Sequence, residues 1–157
     1  MRVLTGAIAP LLLICANSAT CAEPPPEFCG VLRTFIESVQ PDEAREFTFR
    51  TSWGTGFKDS DNSVLFAKRC EHGGYSPAER VCAYLLKHGS TEFAGATVMA
   101  AISCLEPKTS FGNAVALNGG DFSFASGTDA RGAQIGITFA KDPVVGGFAF
   151  RLVAKGY

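Results

Sequence analysis

The sequence predicts an α+β fold: two amphipathic helices packed on a mainly antiparallel β-sheet and held by disulfides. Three observations carry this reading. Two stretches place apolar residues every three or four positions, later runs alternate apolar and polar residues with a period of two, and four separated cysteines follow an N-terminal segment of export type. One-sided alternation belongs to antiparallel sheets, because the strands of a parallel sheet are covered on both faces and read as continuous apolar runs.

The leader comes first. Met1 and Arg2 precede Ile8, Leu11, Leu12, Leu13 and Ile14, and a small-residue run follows to Ala22, the pattern of an export signal. Pro10 interrupts the apolar run, which falls short of the roughly 20 residues a bilayer span needs. Cleavage is expected after Ala22, with Ala19 as a competing site, leaving one globular domain over residues 23–157 in the periplasm or outside the cell. Cys15 and Cys21 would leave with the signal. Ile14 and Thr20 precede them where a lipid-attachment signal carries Gly, Ala or Ser, so no lipid anchor is expected.

Pro24, Pro25 and Pro26 form a stiff lead-in to the first helix, expected from about Glu27 to Gln40. Its apolar stripe is Phe28, Val31, Leu32, Phe35, Ile36 and Val39, and Pro41 stops it. The second helix is read from Ser76-Pro77-Ala78-Glu79, a capping box, with Gly89 as a left-handed residue after His88. Ala78, Val81, Cys82, Leu85 and Leu86 should face the core, with Arg80, Tyr84, Lys87 and His88 outside.

Strands are expected where Phe47, Phe49 and Thr51 alternate with polar residues, and at 63–70, which would return antiparallel across the loop 54–62. Phe122 and Phe124, then Ile135, Ile137 and Phe139, then Phe148, Phe150 and Leu152 form three further runs separated by turn-rich stretches. The segment 91–105 fits either a helix or a strand. The β-branched Thr97, Val98 and Ile102, and Gly95 in what would be a helix interior, tilt the reading to strand.

Cys29, Cys70, Cys82 and Cys104 allow three pairings in an oxidising compartment. Cys70 with Cys82 would pin a local segment, and Cys29 with Cys104 would tie the first helix to the middle of the chain. No Cys-x-x-Cys pair suggests a redox site.

Composition excludes several function classes. The formal net charge of -1 becomes slightly more negative once Arg2 is lost, and no basic stripe offers the cationic surface a nucleic acid requires. No second apolar stretch approaches membrane-spanning length, so no membrane insertion is expected. The Asp59-Ser60-Asp61-Asn62-Ser63 run has the oxygen density of a calcium loop but lacks its later Gly and Glu, with Cys70 at the twelfth position. Gly54-Thr55-Gly56-Phe57-Lys58 lacks the ending of a phosphate loop, and no Gly-x-Ser-x-Gly elbow is present. Neither a metal nor a cofactor is expected.

His72 and His88 are the only histidines available for acid-base work near neutral pH. His88 near a helix C-terminus has a sufficient structural reason to be there. The loop 71–75 is the stronger candidate for function, because a disulfide on one side and a helix cap on the other would hold it while Gly73 and Gly74 allow unusual backbone angles. A loop held in this way loses little entropy on docking, which suits recognition or inhibition. Arg69, Glu71, His72 and Tyr75 are the candidate contacts. Trp53, alone at the end of a strand, reads as an edge aromatic or as an exposed anchor for a partner.

From Cys82 through Tyr84-Leu85 and His88 to the stretch 100–104, the chain resembles the helical part of small exported immunity proteins. The C-terminal β region departs from their largely helical form, so the resemblance identifies no family. The expected function is an exported, soluble binding or inhibitor-type protein of the bacterial cell envelope, with another protein as partner and no turnover. The alternatives are a small extracytoplasmic hydrolase using His72 with Glu71 or Asp59, and a structural envelope component without a discrete site.

Overall fold

A computed structural model describes residues 24–60, 64–112, 114–128 and 131–157. The predicted export segment lies outside the described residues, as do Asp61, Asn62 and Ser63 of the acidic run. The chain order is α1 (Pro26–Ser38), β1 (Ala44–Trp53), β2 (Phe66–Glu71), α2 (Ser76–His88), α3 (Ala94–Leu105), β3 (Gly120–Thr128), β4 (Arg131–Lys141) and β5 (Phe148–Gly156). The strands form one antiparallel sheet in the order β2-β1-β5-β4-β3, so the C-terminal meander returns its last strand to pair with the first. The fold is α+β, with three helices on one face of the sheet.

Alternation decides that face. Phe47, Phe49, Ile135, Ile137, Phe139, Phe150 and Leu152 point toward the helices and are buried. They meet Phe28, Leu32, Phe35 and Ile36 of α1, Val81 and Leu85 of α2, and Val98 and Ile102 of α3. Each such fully buried side chain contributes about 1.5 to 3 kcal/mol by leaving water. Phe47 sits edge-on between Phe35 and Phe150, joining helix layer to sheet layer. Cys29 bonds Cys104 and ties α1 to α3, while Cys70 bonds Cys82 and ties β2 to α2. Among the described residues no helix is long and apolar enough to cross a membrane.

Several expectations are corrected. The segment 94–105 is a helix, not a strand. Gly95 is there for close approach: a Cβ would stand 2.0 Å from the Leu117 carbonyl oxygen, so the connection to β3 crosses directly over the first turn. The β-branched residues are accepted because Val98, Ala101, Ile102 and Cys104 form a buried helical stripe, and packing outweighs their small intrinsic penalty. The first helix ends at Ser38, and Val39 is buried in an extended conformation beyond it.

The capping box is not formed. Tyr75 occupies the N-cap position without a side-chain cap, and Ser76 lies inside the helix. Gly89 is not left-handed, with φ -61° and ψ 138°. Its lack of a side chain instead makes room for Phe49, whose ring would lie 2.7 Å from a Cβ there. Leu86 is exposed rather than core-facing, and Tyr84 is half-buried, stacked on Phe28 with ring centres 5.0 Å apart.

Candidate functional site

The nominated residues lie on the β1–β2 hairpin and the turn that follows it, but at two separate ends. Trp53 is the register partner of Phe66, whereas Glu71 is the partner of Thr48. The five-residue offset along β1 puts the ends about 17 Å apart at roughly 3.4 Å per residue. Trp53 and the 71–75 loop therefore cannot contact one small ligand together.

At the Trp53 end, the chain leaves β1 through Gly54, whose amide donates to the Leu65 carbonyl at 2.8 Å and closes the hairpin. Trp53 is 51% exposed and Phe66 55% exposed. Val64 and Leu65 precede Phe66 and are exposed as well. On the same face of β2 as Phe66, Lys68 donates to the carbonyl of Leu86, another exposed apolar residue. A hairpin end of this kind presents aromatic area on paired strands, which limits the backbone entropy lost on docking.

The other end is built differently. Gly73 and Gly74 take φ values of 58° and 74°, and both are exposed. Tyr75 is not presented: its hydroxyl donates to Ser38 at the C-terminus of α1, its ring meets Phe35 edge-on, and the Arg45 guanidinium lies 4.6 Å above it. Glu71 has a half-exposed side chain and forms an ion pair with Arg50 at 2.7 Å. His72 is half-buried, and its Nδ1 is shut off from solvent without a hydrogen-bond partner among the described residues.

The carboxylates proposed as partners of His72 are committed elsewhere. Glu71 binds Arg50, and Asp59 accepts two hydrogen bonds from Arg69, at 2.7 and 3.0 Å. The Arg69 guanidinium holds the Asp59 carboxyl below its ordinary range. Arg69 also covers the Phe57 ring at 4.9 Å, so this cation fastens a loop. Among the described residues no group of three His, Cys, Asp or Glu side chains could hold a metal.

Sequence reasoning missed a second buried layer on the sheet face away from the helices. There Phe57, Val145 and Ser52 are buried, and the loop after β1 is tied to the β4–β5 turn by the Lys58 amide donating to Val145. Arg50 links this turn to the sheet through Asp142 at 2.8 Å. Asp142-Pro143 followed by Gly146-Gly147 signals the turn, but no local pattern shows that Arg50, far away in sequence, completes it. Phe66 was missed as well, because only the strand register sets it against Trp53. A cleft of about 770 Å³ between α1, α3 and the segment 107–115 is lined by none of the candidate contacts Trp53, Arg69, Glu71, His72 and Tyr75.

The chain matches no protein-family model, no curated protein and no solved structure.

Proposed function

We propose that this is an exported binding or inhibitor-type protein of the bacterial cell envelope, acting without turnover through the Trp53 end of the β1–β2 hairpin. The supporting observation is the Trp53–Phe66 pair, two large aromatics in register and both more than half exposed. Buried aromatics dominate the energetics of protein interfaces, and an exposed aromatic pair held in strand register is an efficient means of supplying them. Two disulfides favour an oxidising compartment, in line with the export signal read in residues 1–22. The hydrolase alternative gains little support, because Glu71 and Asp59, the carboxylates proposed as partners of His72, are both held by arginines.

The test uses the tagged chain from residue 23 and its Trp53→Ala/Phe66→Ala variant, with envelope extract as the source of partner and circular dichroism as the check of fold. A partner retained by the parent and lost by the folded variant is the expected result. Equal capture by both would remove the hairpin end from the interface. A substrate turned over by the parent and not by His72→Ala would favour the hydrolase instead.

A further inference from the structure

The two edges of the sheet are not protected alike. β2, at one edge, is six residues long and carries Lys68, Arg69 and Glu71, which is how natural proteins discourage a sheet from growing. β3, at the other edge, is nine residues long and reads Gly-Asp-Phe-Ser-Phe-Ala-Ser-Gly-Thr, with no Lys, Arg or Pro. Among the described residues no strand pairs with its outer side. The hydrophobic layer is also unfinished there, since Phe122 and Phe124 pack against the core but remain partly open to solvent.

We propose that two copies of this chain pair through β3, antiparallel about a two-fold axis at Phe124, into one continuous ten-stranded sheet. The sequence of β3 is complementary to itself in that register, which is the one that overlaps all nine residues. Asp121 falls opposite Gly127, Phe122 opposite Ser126, Ser123 opposite Ala125, and Phe124 opposite the Phe124 of the partner. The only charge on the strand thus meets a glycine, so no like charges face one another. Every pair also joins side chains of the same face, as an antiparallel ladder requires, and the two Phe124 rings close the gap at the edge of the core. The formal net charge, -1 for the full sequence and about -2 once Arg2 is lost, gives little long-range repulsion between copies. A two-fold contact of this kind closes on itself instead of growing into a fibre. The dimer leaves both Trp53 ends free at its extremities, but it does not depend on their binding anything.

Ser123 and Ala125 are exposed on the face away from the helices, so both accept charge without disturbing the core. The experiment is sedimentation velocity of the chain from residue 23 over a wide concentration range, for the parent and two double variants. Ser123→Lys/Ala125→Lys sets lysines opposite lysines in both pairs across the axis and is expected to sediment as a monomer. Ser123→Lys/Ala125→Glu sets lysine opposite glutamate twice and is expected to remain a dimer. Both lose the hydrogen bond from Gln134 to Ser123 equally, which cancels in the comparison. Amide exchange of residues 120–128 in the parent gives an independent reading, with protection expected to rise with protein concentration even if a variant does not fold. A monomeric parent, a dimeric Lys/Lys variant, or edge amides that exchange at the same rate at all concentrations would overturn the proposal.

Discussion

The Arg50 guanidinium donates to the Asp142 carboxylate at 2.8 Å, joining β1 to a turn 92 residues away. The second oxygen of Asp142 accepts the amides of Val144 and Val145, so one carboxylate both shapes the turn and fastens it to β1. Arg50 above all, and then these amides, hold the Asp142 carboxyl below its ordinary range. A depressed folded-state value means stability that is present above the unfolded value, about 3.9, and is lost as pH falls through the folded one. Asp142→Asn is therefore expected to cost stability at neutral pH and to flatten the loss seen in acid below about pH 4. Urea midpoints measured from neutral to strongly acid pH provide the check. Parallel curves for parent and variant would mean that other carboxylates dominate the acid transition.

The disulfides should differ in worth. Cys29–Cys104 spans 75 residues and Cys70–Cys82 spans 12. If the crosslink acts by restricting the unfolded chain, their contributions are about 4.5 and about 2.8 kcal/mol respectively. Replacing Cys29 and Cys104 by Ala should lower the denaturation midpoint more than replacing Cys70 and Cys82. Alkylation without reductant should label none of the four cysteines, and a peptide joining Cys29 to Cys70 would refute the pairing.

Tyr75, not Ser76, fastens the start of α2, through its hydrogen bonds to Ser38. Because Ser76 caps nothing, Ser76→Ala should be nearly silent, within about 0.5 kcal/mol. Tyr75→Phe removes the hydrogen bonds to Ser38 and should cost about 1 kcal/mol, while Tyr75→Ala also removes the packing on Phe35 and should cost about 3 kcal/mol. Chemical denaturation of the three variants ranks them. A Ser76→Ala loss equal to that of Tyr75→Phe would restore the capping box.

What was legible in the sequence is whatever has a short period. The stripe of α1, the alternation of β1, β4 and β5, and the inward face of α2 around Cys82 are each read within a dozen residues, and the structure reproduces them. The segment 91–105 reads as a strand from propensity alone, but Gly95 serves the backbone of Leu117, and full burial of Val98 outweighs its small helix penalty. The candidate site was half legible. Trp53 stood out as a lone aromatic, but its partner Phe66, the commitment of Arg69 to Asp59 and the burial of Tyr75 against α1 arise from register and long-range contacts that no local window contains.

Thr51 offers a test of the inner face of the sheet. It is 2% exposed, and among the described residues its hydroxyl has no hydrogen-bond partner, while its backbone position on β1 continues the alternation of Phe47 and Phe49 toward the helices. An unpaired hydroxyl in an apolar layer costs roughly 1 to 3 kcal/mol, since the bonds it made to water are not replaced. Valine has the same branched shape, suits a strand, and presents a methyl group where the hydroxyl stands. Thr51→Val is therefore expected to stabilise the protein by about 1 kcal/mol, in contrast to most substitutions at buried positions. The comparison is made by thermal and urea unfolding of both proteins, with Thr51→Ser as a control that keeps the hydroxyl and loses the methyl. The expected order of stability is Val, then Thr, then Ser. A valine variant less stable than the parent would show that the hydroxyl is satisfied in solution, by a buried water bridging it to the backbone.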